Sequence, residues 1–217
     1  MQIDKLKQHI GMDLRNIKLV PYDPAWAEIF EFNKSRLMEI LGDLDDRFEI
    51  HHIGSTAIPT IKLAKPIIDI TIRTEKDWET HEYNGFWCDF SSEILQRIEN
   101  AGFYTKGDAD SGHGVLRAHV YDPQNRNFVY NTIHTSQFQY EDAHLLFKRY
   151  MLEHPDEAER YSKLKAQSAD TVMNEQSVTK NYYYKKKPEN RFYDYCNLKD
   201  KFVEDINRKA HELYGKN

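Results

Sequence analysis

The stretch His51-His52-Ile53-Gly54-Ser55-Thr56-Ala57-Ile58-Pro59, followed by Lys65-Pro66-Ile67-Ile68-Asp69-Ile70-Thr71-Ile72, constrains this chain more than any other. An apolar residue runs into Gly-Ser-Thr, and further on a single carboxylate sits inside a β-branched run. The pattern predicts a strand, a tight turn into a helix N-terminus at Ser55, and a second strand carrying one acid. A helix N-terminus offers unpaired backbone N–H groups and a favourable dipole to an anion. A carboxylate on the adjacent strand can hold a hard cation against that anion. The arrangement points to nucleotide chemistry. Plain helix capping by Ser55 or Thr56 is the alternative, and it needs no ligand.

Strand alternation puts Ile67, Asp69 and Thr71 on one face and Ile68, Ile70 and Ile72 on the other. An acid in such a strand is costly to bury unless it is paired or bound to a metal. Upstream, Asp23-Pro24 starts a helix well, with Asp23 as N-cap and Pro24 in the first turn. Trp26, Ile29, Phe30, Leu37, Ile40 and Leu41 recur at helical spacing, so residues 24–41 read as an amphipathic helix closed by Gly42. Phe48 to Ile53 reads as the first main strand and Ile67 to Arg73 as the second. Segments 115–121 and 127–134, joined by Asp122-Pro123-Gln124-Asn125, predict an antiparallel hairpin. Residues 92–101, 139–153, 155–173 and a last stretch from near 190 to about 213 read as helices. Asp77 to Ser91 fits no single template, although Asn84-Gly85 marks a turn.

The predicted order is mixed α/β at the front and helical at the back. It gives an α+β fold: a mixed sheet flanked by helices, with a C-terminal helical appendage. Three units are expected: an N-terminal arm over 1–17, an α/β core over 18–138, and a helical region over 139–217 packed on the core. With 217 residues and 40% apolar content, the chain can bury a substantial core, much of it from its 14 Tyr and 11 Phe. The formal net charge of -5 argues against nonspecific nucleic-acid binding. Lys185-Lys186-Lys187 is a local basic run in a polar connection. Two cysteines, Cys88 and Cys196, supply neither a metal motif nor a disulfide framework, which fits a cytoplasmic protein. No run approaches a membrane span, and no apolar leader follows Met1.

The central block resembles the GrpB family, a branch of the nucleotidyltransferase superfamily, through His52, Ile53, Gly54, Ser55, Thr56, Pro59, Lys65, Pro66, Ile68, Asp69 and Ile70. The resemblance extends from Val20-Pro21-Tyr22-Asp23-Pro24-Ala25-Trp26 through Arg117, Ile133-His134 and Tyr161-Ser162-Lys163-Leu164-Lys165 to Tyr195 and Lys199. It implies a nucleotidyltransferase-like fold in which Gly54, Ser55 and Thr56 hold phosphates and Asp69 binds Mg²⁺ or Mn²⁺. His52 would flank the turn toward the site. Lys65 and Arg117 would balance phosphate charge, and His134 would complete the metal site or act as general base.

Three departures stand out. Many nucleotidyltransferases carry a second acid two residues along the strand, where this chain has Thr71, or Ile67 in the other register. Thr132-Ile133-His134 lacks the first histidine of a His-x-His pattern common in the family. Phe147-Lys148-Arg149 replaces a Phe-Arg-Asp. The implied activity is metal-dependent nucleotidyl transfer from a nucleoside triphosphate to an unidentified acceptor. The alternatives are a non-catalytic protein binding a nucleotide or another phosphorylated small molecule, and an interaction domain built on the aromatic-rich helical half.

Overall fold

The computed structural model describes residues 8–44, 47–75, 96–98, 100, 128–134, 136–138, 141–174 and 191–215 in full. It also describes the backbone of 81–83, 86–88, 104–105, 118–122, 125–127 and 135. Ten short-to-medium strands are seen among these residues: β1 (Met12–Asp13), β2 (Val20–Pro21), β3 (Phe48–Ile53), β4 (Leu63–Ala64), β5 (Ile68–Thr74), β6 (His81–Tyr83), β7 (Phe86–Cys88), β8 (Tyr104–Thr105), β9 (Ala118–Asp122) and β10 (Asn125–Gln137). The long helices are α1 (Ala25–Leu41), α2 (Ala143–Glu153), α3 (Pro155–Asn174) and α4 (Arg191–Tyr214).

The main sheet has the order β3-β5-β10-β9-β8, with β1 also paired to β10. β5 and β10 run parallel, with Thr132 opposite Asp69 and His134 opposite Thr71. The other pairs in this sheet are antiparallel, including the expected β9–β10 hairpin. The architecture is the mixed sheet flanked by helices, with C-terminal helices, that the sequence predicts.

α1 forms where its apolar spacing predicts. The Asp23 carboxylate accepts from the Ala25 N–H at 2.9 Å, and the chain turns out of the helix at Gly42. Its buried stripe of Trp26, Ile29, Phe30, Leu37 and Leu41 packs on Ile50, Ile68, Ile70, Ile72 and Ile133. Asn33 lies in the same stripe and is satisfied there, donating to the Ile29 carbonyl at 2.9 Å. The alternate residues of β5, Asp69 and Thr71, face the other way, toward α2, α3 and α4. There a second core joins Ile58 and Ile61 to Tyr150, Met151, Ala158, Tyr161 and Ile206.

The described part of the N-terminal arm, residues 8–17, lies against the sheet. Met12 and Asp13 pair with Val129 and Phe128, and Ile10, Met12 and Ile17 are buried. Three apolar residues in a polar stretch suffice to seat it against the sheet. The region left open at 77–91 contains the two-stranded pair β6–β7; its turn at Asn84-Gly85 lies outside the described residues.

Candidate functional site

Where β3 and β5 meet the three C-terminal helices, a pocket of about 450 Å³ opens. Gly54, Ser55, Lys65, Asp69 and His134 line its sheet side, and residues from α2, α3 and α4 line the rest. Gly54 sets the geometry of the turn. Its φ of 67° and ψ of −172° define a backbone conformation open almost only to glycine. A Cβ there would collide with the Asp69 carboxylate and stand 2.9 Å from its Cγ. The glycine is therefore needed so that Asp69 can sit against the turn.

The turn itself corrects the expectation of an α-helix. Ser55–Ala57 is a single 3-10 turn, and Ile58 is already extended. Pro59 follows, and the residue before a proline is pushed out of the α region. No macrodipole is built here, so any anion held at Ser55 must be held by local donors and by side chains from elsewhere. Ser55 and Tyr161 of α3 both line the pocket.

The His52 and Thr56 side chains are engaged with each other and with the chain, and Thr56 also lines the pocket. The His52 ring stacks on Phe30 with centroids 4.8 Å apart, on the α1 side of the sheet. Its Nε2 lies 3.0 Å from the Thr56 hydroxyl, which donates to the Ile67 carbonyl at 3.1 Å. Burial, with the charge of Lys148 behind it, pushes His52 down to about 3, so it is neutral. With the Thr56 hydrogen spent on Ile67, His52 donates from Nε2. The pair is a packed, satisfied strut that holds the turn against β5. His51 sits on the opposite face of β3 and contacts Glu49 at 3.3 Å. Lys148, in the departing Phe147-Lys148-Arg149 run, donates to the His52 carbonyl at 2.9 Å and ties α2 to the end of β3. Arg149 is a surface residue paired with Glu153 at 3.1 Å.

Asp69 and His134 do come together. His134 Nε2 is 4.0 Å from Asp69 Oδ1, as the Thr132–Asp69 and His134–Thr71 registers require. Lys65 also lines the pocket, with its ammonium 4.1 Å from the centre of the Phe192 ring. Arg117 lies outside the described residues, as does the run Lys185-Lys186-Lys187. Among the described residues, no three His, Cys, Asp or Glu side chains already converge on one point. Asp69 and His134 fit a divalent cation only as part of a ligand set, with the remaining oxygens supplied by a bound phosphate or water.

Several groups not in the predicted set dominate the opposite wall. Lys165 of α3 is only 2% exposed, and its ammonium has no hydrogen-bond partner among the described residues. Burial depresses it well below the usual lysine range, Lys199 and Lys65 add to the effect, and Asp69 opposes it. The Tyr195 hydroxyl is likewise buried without a partner, and burial raises its pKa. Lys199 sits 4.1 Å from the centre of the Tyr195 ring. Three lysines, from the β4–β5 connection, α3 and α4, thus border one pocket that has unmet hydrogen-bonding capacity. A helical reading of 158–172 places Lys165 in register with Tyr161, Ala169 and Val172, and that register was the available signal.

A further pair was invisible in sequence. Asp142 caps α2, accepting from the His144 and Leu145 N–H groups at 2.9 and 3.4 Å. It also accepts from Thr71 at 3.0 Å and Ser136 at 2.7 Å, and lies 3.2 Å from His144 Nδ1. Burial opposes its ionisation, but these bonds and the neighbouring imidazole outweigh it and hold Asp142 well below the usual carboxylate range.

Comparison with known proteins gives consistent results. The family described as GrpB protein matches residues 16–209. UPF0157 protein YqkA of Bacillus subtilis (strain 168) is 31% identical over 71% of this chain and 40% of its own length. Glutamate-rich protein GrpB of Alkalihalophilus pseudofirmus is 25% identical over 91% of this chain and 97% of its own. This chain therefore spans less than half of the first relative and nearly all of the second. The crystal structure of conserved protein GrpB from Enterococcus faecalis superposes with a TM-score of 0.66 at 26% identity, covering 92% of this chain and 100% of that one.

Proposed function

This chain belongs to the GrpB family, and from that premise and the pocket's chemistry we propose that it binds a nucleoside triphosphate with a divalent cation and transfers the nucleotidyl group to an acceptor. The observation that carries this reading is the buried amine of Lys165, without a hydrogen-bond partner among the described residues, in one pocket with Lys65, Lys199 and Asp69. A buried amine left without a partner costs about 1–3 kcal/mol. A polyanion would supply the missing acceptors, and a triphosphate has enough charge for three lysines.

In this reading Lys165, Lys199 and Lys65 bind the phosphate tail, and the Tyr195 hydroxyl donates to it. Ser55 orients the tail from the sheet side. Asp69 and His134 hold the cation, Mg²⁺ or Mn²⁺. When bound, that cation supplies charge stabilisation at the α-phosphate. Alternatively, His134 accepts the proton of the acceptor hydroxyl as that oxygen bonds to the α-phosphorus and pyrophosphate departs. The residues 1–17, 18–138 and 139–217 would then act as arm, phosphate-facing core and lysine-bearing cover.

One observation favours a second reading. Thr71 stands where a second acid is expected, and its hydroxyl is committed to Asp142. Without a second carboxylate beside Asp69, the protein would bind nucleotide without turnover. The test is to incubate the chain with each nucleoside triphosphate, Mg²⁺ or Mn²⁺, and a pool of small-molecule and macromolecular acceptors. Pyrophosphate release that disappears in both Asp69→Asn and His134→Ala supports transfer. Binding with no release from any nucleotide would shift the assignment to the binding protein.

A further inference from the structure

The two ends of the pocket differ in chemistry. α4 carries one wall, with Phe192, Cys196, Lys199, Val203 and Asn207 recurring at helical spacing along it. At a rise of about 1.5 Å per residue, Asn207 lies about 18 Å along the helix from Tyr195. The Tyr195 end is cationic. The Lys199 and Lys65 ammonium groups stand 4.1 and 5.3 Å from the centre of the Tyr195 ring. The Asn207 end is mostly apolar. One turn before Asn207, Val203 joins Phe147 of α2 and Tyr161 of α3 in the second core. One turn after it, His211 contacts Glu141 at 2.7 Å. That contact sets this part of α4 beside the start of α2, where Ala143 and His144 also line the pocket. Tyr161 links the two ends. Lys165 Nζ is 5.2 Å from its ring centre, and the ring meets that of Phe147 with centroids 5.7 Å apart.

Asn207 stands out in the apolar end. Its amide oxygen Oδ1 is buried and has no hydrogen-bond partner among the described residues, although the residue as a whole is partly exposed and lines the pocket. Leaving such an acceptor unpaired is costly. An amide oxygen accepts and does not donate, so whatever completes it must bring an N–H or O–H. Ionised phosphate oxygens cannot. The acceptor is recessed, so it is reached by the donor that projects furthest from the edge of a ligand. On a nucleobase that donor is the exocyclic amino group of adenine or cytosine. Guanine and uracil present a carbonyl oxygen at the corresponding place, and two acceptors face to face repel.

We propose that the Asn207 end of the pocket holds the base of the nucleotide, and that Asn207 selects adenine or cytosine by accepting from the exocyclic amino group. This inference rests on the nucleotide reading of the pocket, which puts the phosphates at the lysine end. The sugar then spans the middle. Phe147 and Val203 give the base an apolar wall, and Asn207 is the polar group that fixes its identity.

The experiment is calorimetry of the full chain with Mg²⁺ and, in turn, ATP, purine riboside triphosphate, CTP, UTP and inorganic tripolyphosphate. Purine riboside triphosphate is ATP without the amino group. ATP should bind at least about tenfold more tightly than purine riboside triphosphate, and CTP than UTP by a similar factor, because the second ligand of each pair leaves Oδ1 unpaired. Asn207→Leu should erase both preferences. Asn207→Asp keeps an acceptor at the same place and should retain both. Each ratio compares ligands with the same phosphates, so a merely structural role for Asn207 does not move it. Circular dichroism checks the fold of each variant; where Asn207→Leu does not fold, the parent's ratios decide. Smaller preferences in the parent, preferences that survive in Asn207→Leu, or their loss in Asn207→Asp would each overturn the inference. Equal binding of all five ligands defeats base selection and leaves the phosphate site intact. No binding of any of them, tripolyphosphate included, defeats both readings.

Discussion

The two faces of β5 are built on opposite principles. Ile68, Ile70 and Ile72 point at α1 and are fully buried in an apolar cluster, and the polar Asn33 within it is hydrogen-bonded. Asp69 and Thr71 point at α2–α4, where the neighbours include a buried lysine and a buried tyrosine hydroxyl with unmet bonding capacity. The first face contributes stability. The second gives some of it up to keep charged and polar groups ready for a ligand. One strand carries both roles because its side-chain period is two.

The sharpest break of this contrast is Ile70→Ala. It should cost about 2–5 kcal/mol of stability, from lost burial and a residual cavity, while leaving ligand affinity of the folded fraction unchanged. Chemical denaturation with parallel calorimetry checks both halves.

Lys165→Met should do the reverse. It removes an unpartnered buried amine and should raise stability by about 1–3 kcal/mol while abolishing polyphosphate binding. The pH dependence follows from the direction of the shift. Lys165 has a lower pKa folded than unfolded. Between those two values the unfolded chain holds the extra proton, so stability rises with pH across that window and is lost as pH falls through it. The advantage of Lys165→Met over the parent should therefore shrink as pH rises toward the ordinary lysine pKa. A constant advantage from neutral pH to pH about 10 would mean that Lys165 is charged in the folded protein.

Gly54→Ala tests the seam between the faces. The backbone conformation and the contact with Asp69 should together cost about 1–3 kcal/mol. Metal affinity should fall with it, because Asp69 must move. Arg149→Ala, on the surface, should change stability by less than about 0.5 kcal/mol, since its partner Glu153 is exposed.

Much of the dry face was legible in sequence. β-branched alternation in 67–73 and the 3.6-residue period of 24–41 each follow from local chemistry, and they found each other in the fold as expected. The ligand-facing side was only partly legible. Asp69 and His134 were visible because an acid and a histidine within β-strand runs stand out, and strand register brings them together. Ser55 was read as the start of an α-helix although Ile58-Pro59 carried the signal that stops one. His52 looked like a site residue because it flanks the turn, yet in register it pairs with Ile70 and its ring lies on the α1 side of the sheet. Lys165 and Lys199 stand at positions that carry the family resemblance, but a lysine in a polar helix reads as solvent-facing, and the burial of Lys165 shows only in its register with Tyr161, Ala169 and Val172. Asp142 lay beyond reach, since its buried partner Thr71 is distant in sequence.

The central claim is that the helix-facing side of β5 is a polyphosphate site, and calorimetry of ATP, ADP and AMP against the parent and Lys165→Met tests it most directly. ATP should bind the parent at least about tenfold more tightly than AMP, a difference of about 1.4 kcal/mol, and should not bind Lys165→Met measurably. Equal affinity for ATP and AMP, or unchanged ATP affinity in Lys165→Met, would mean that the lysines are not there for phosphate.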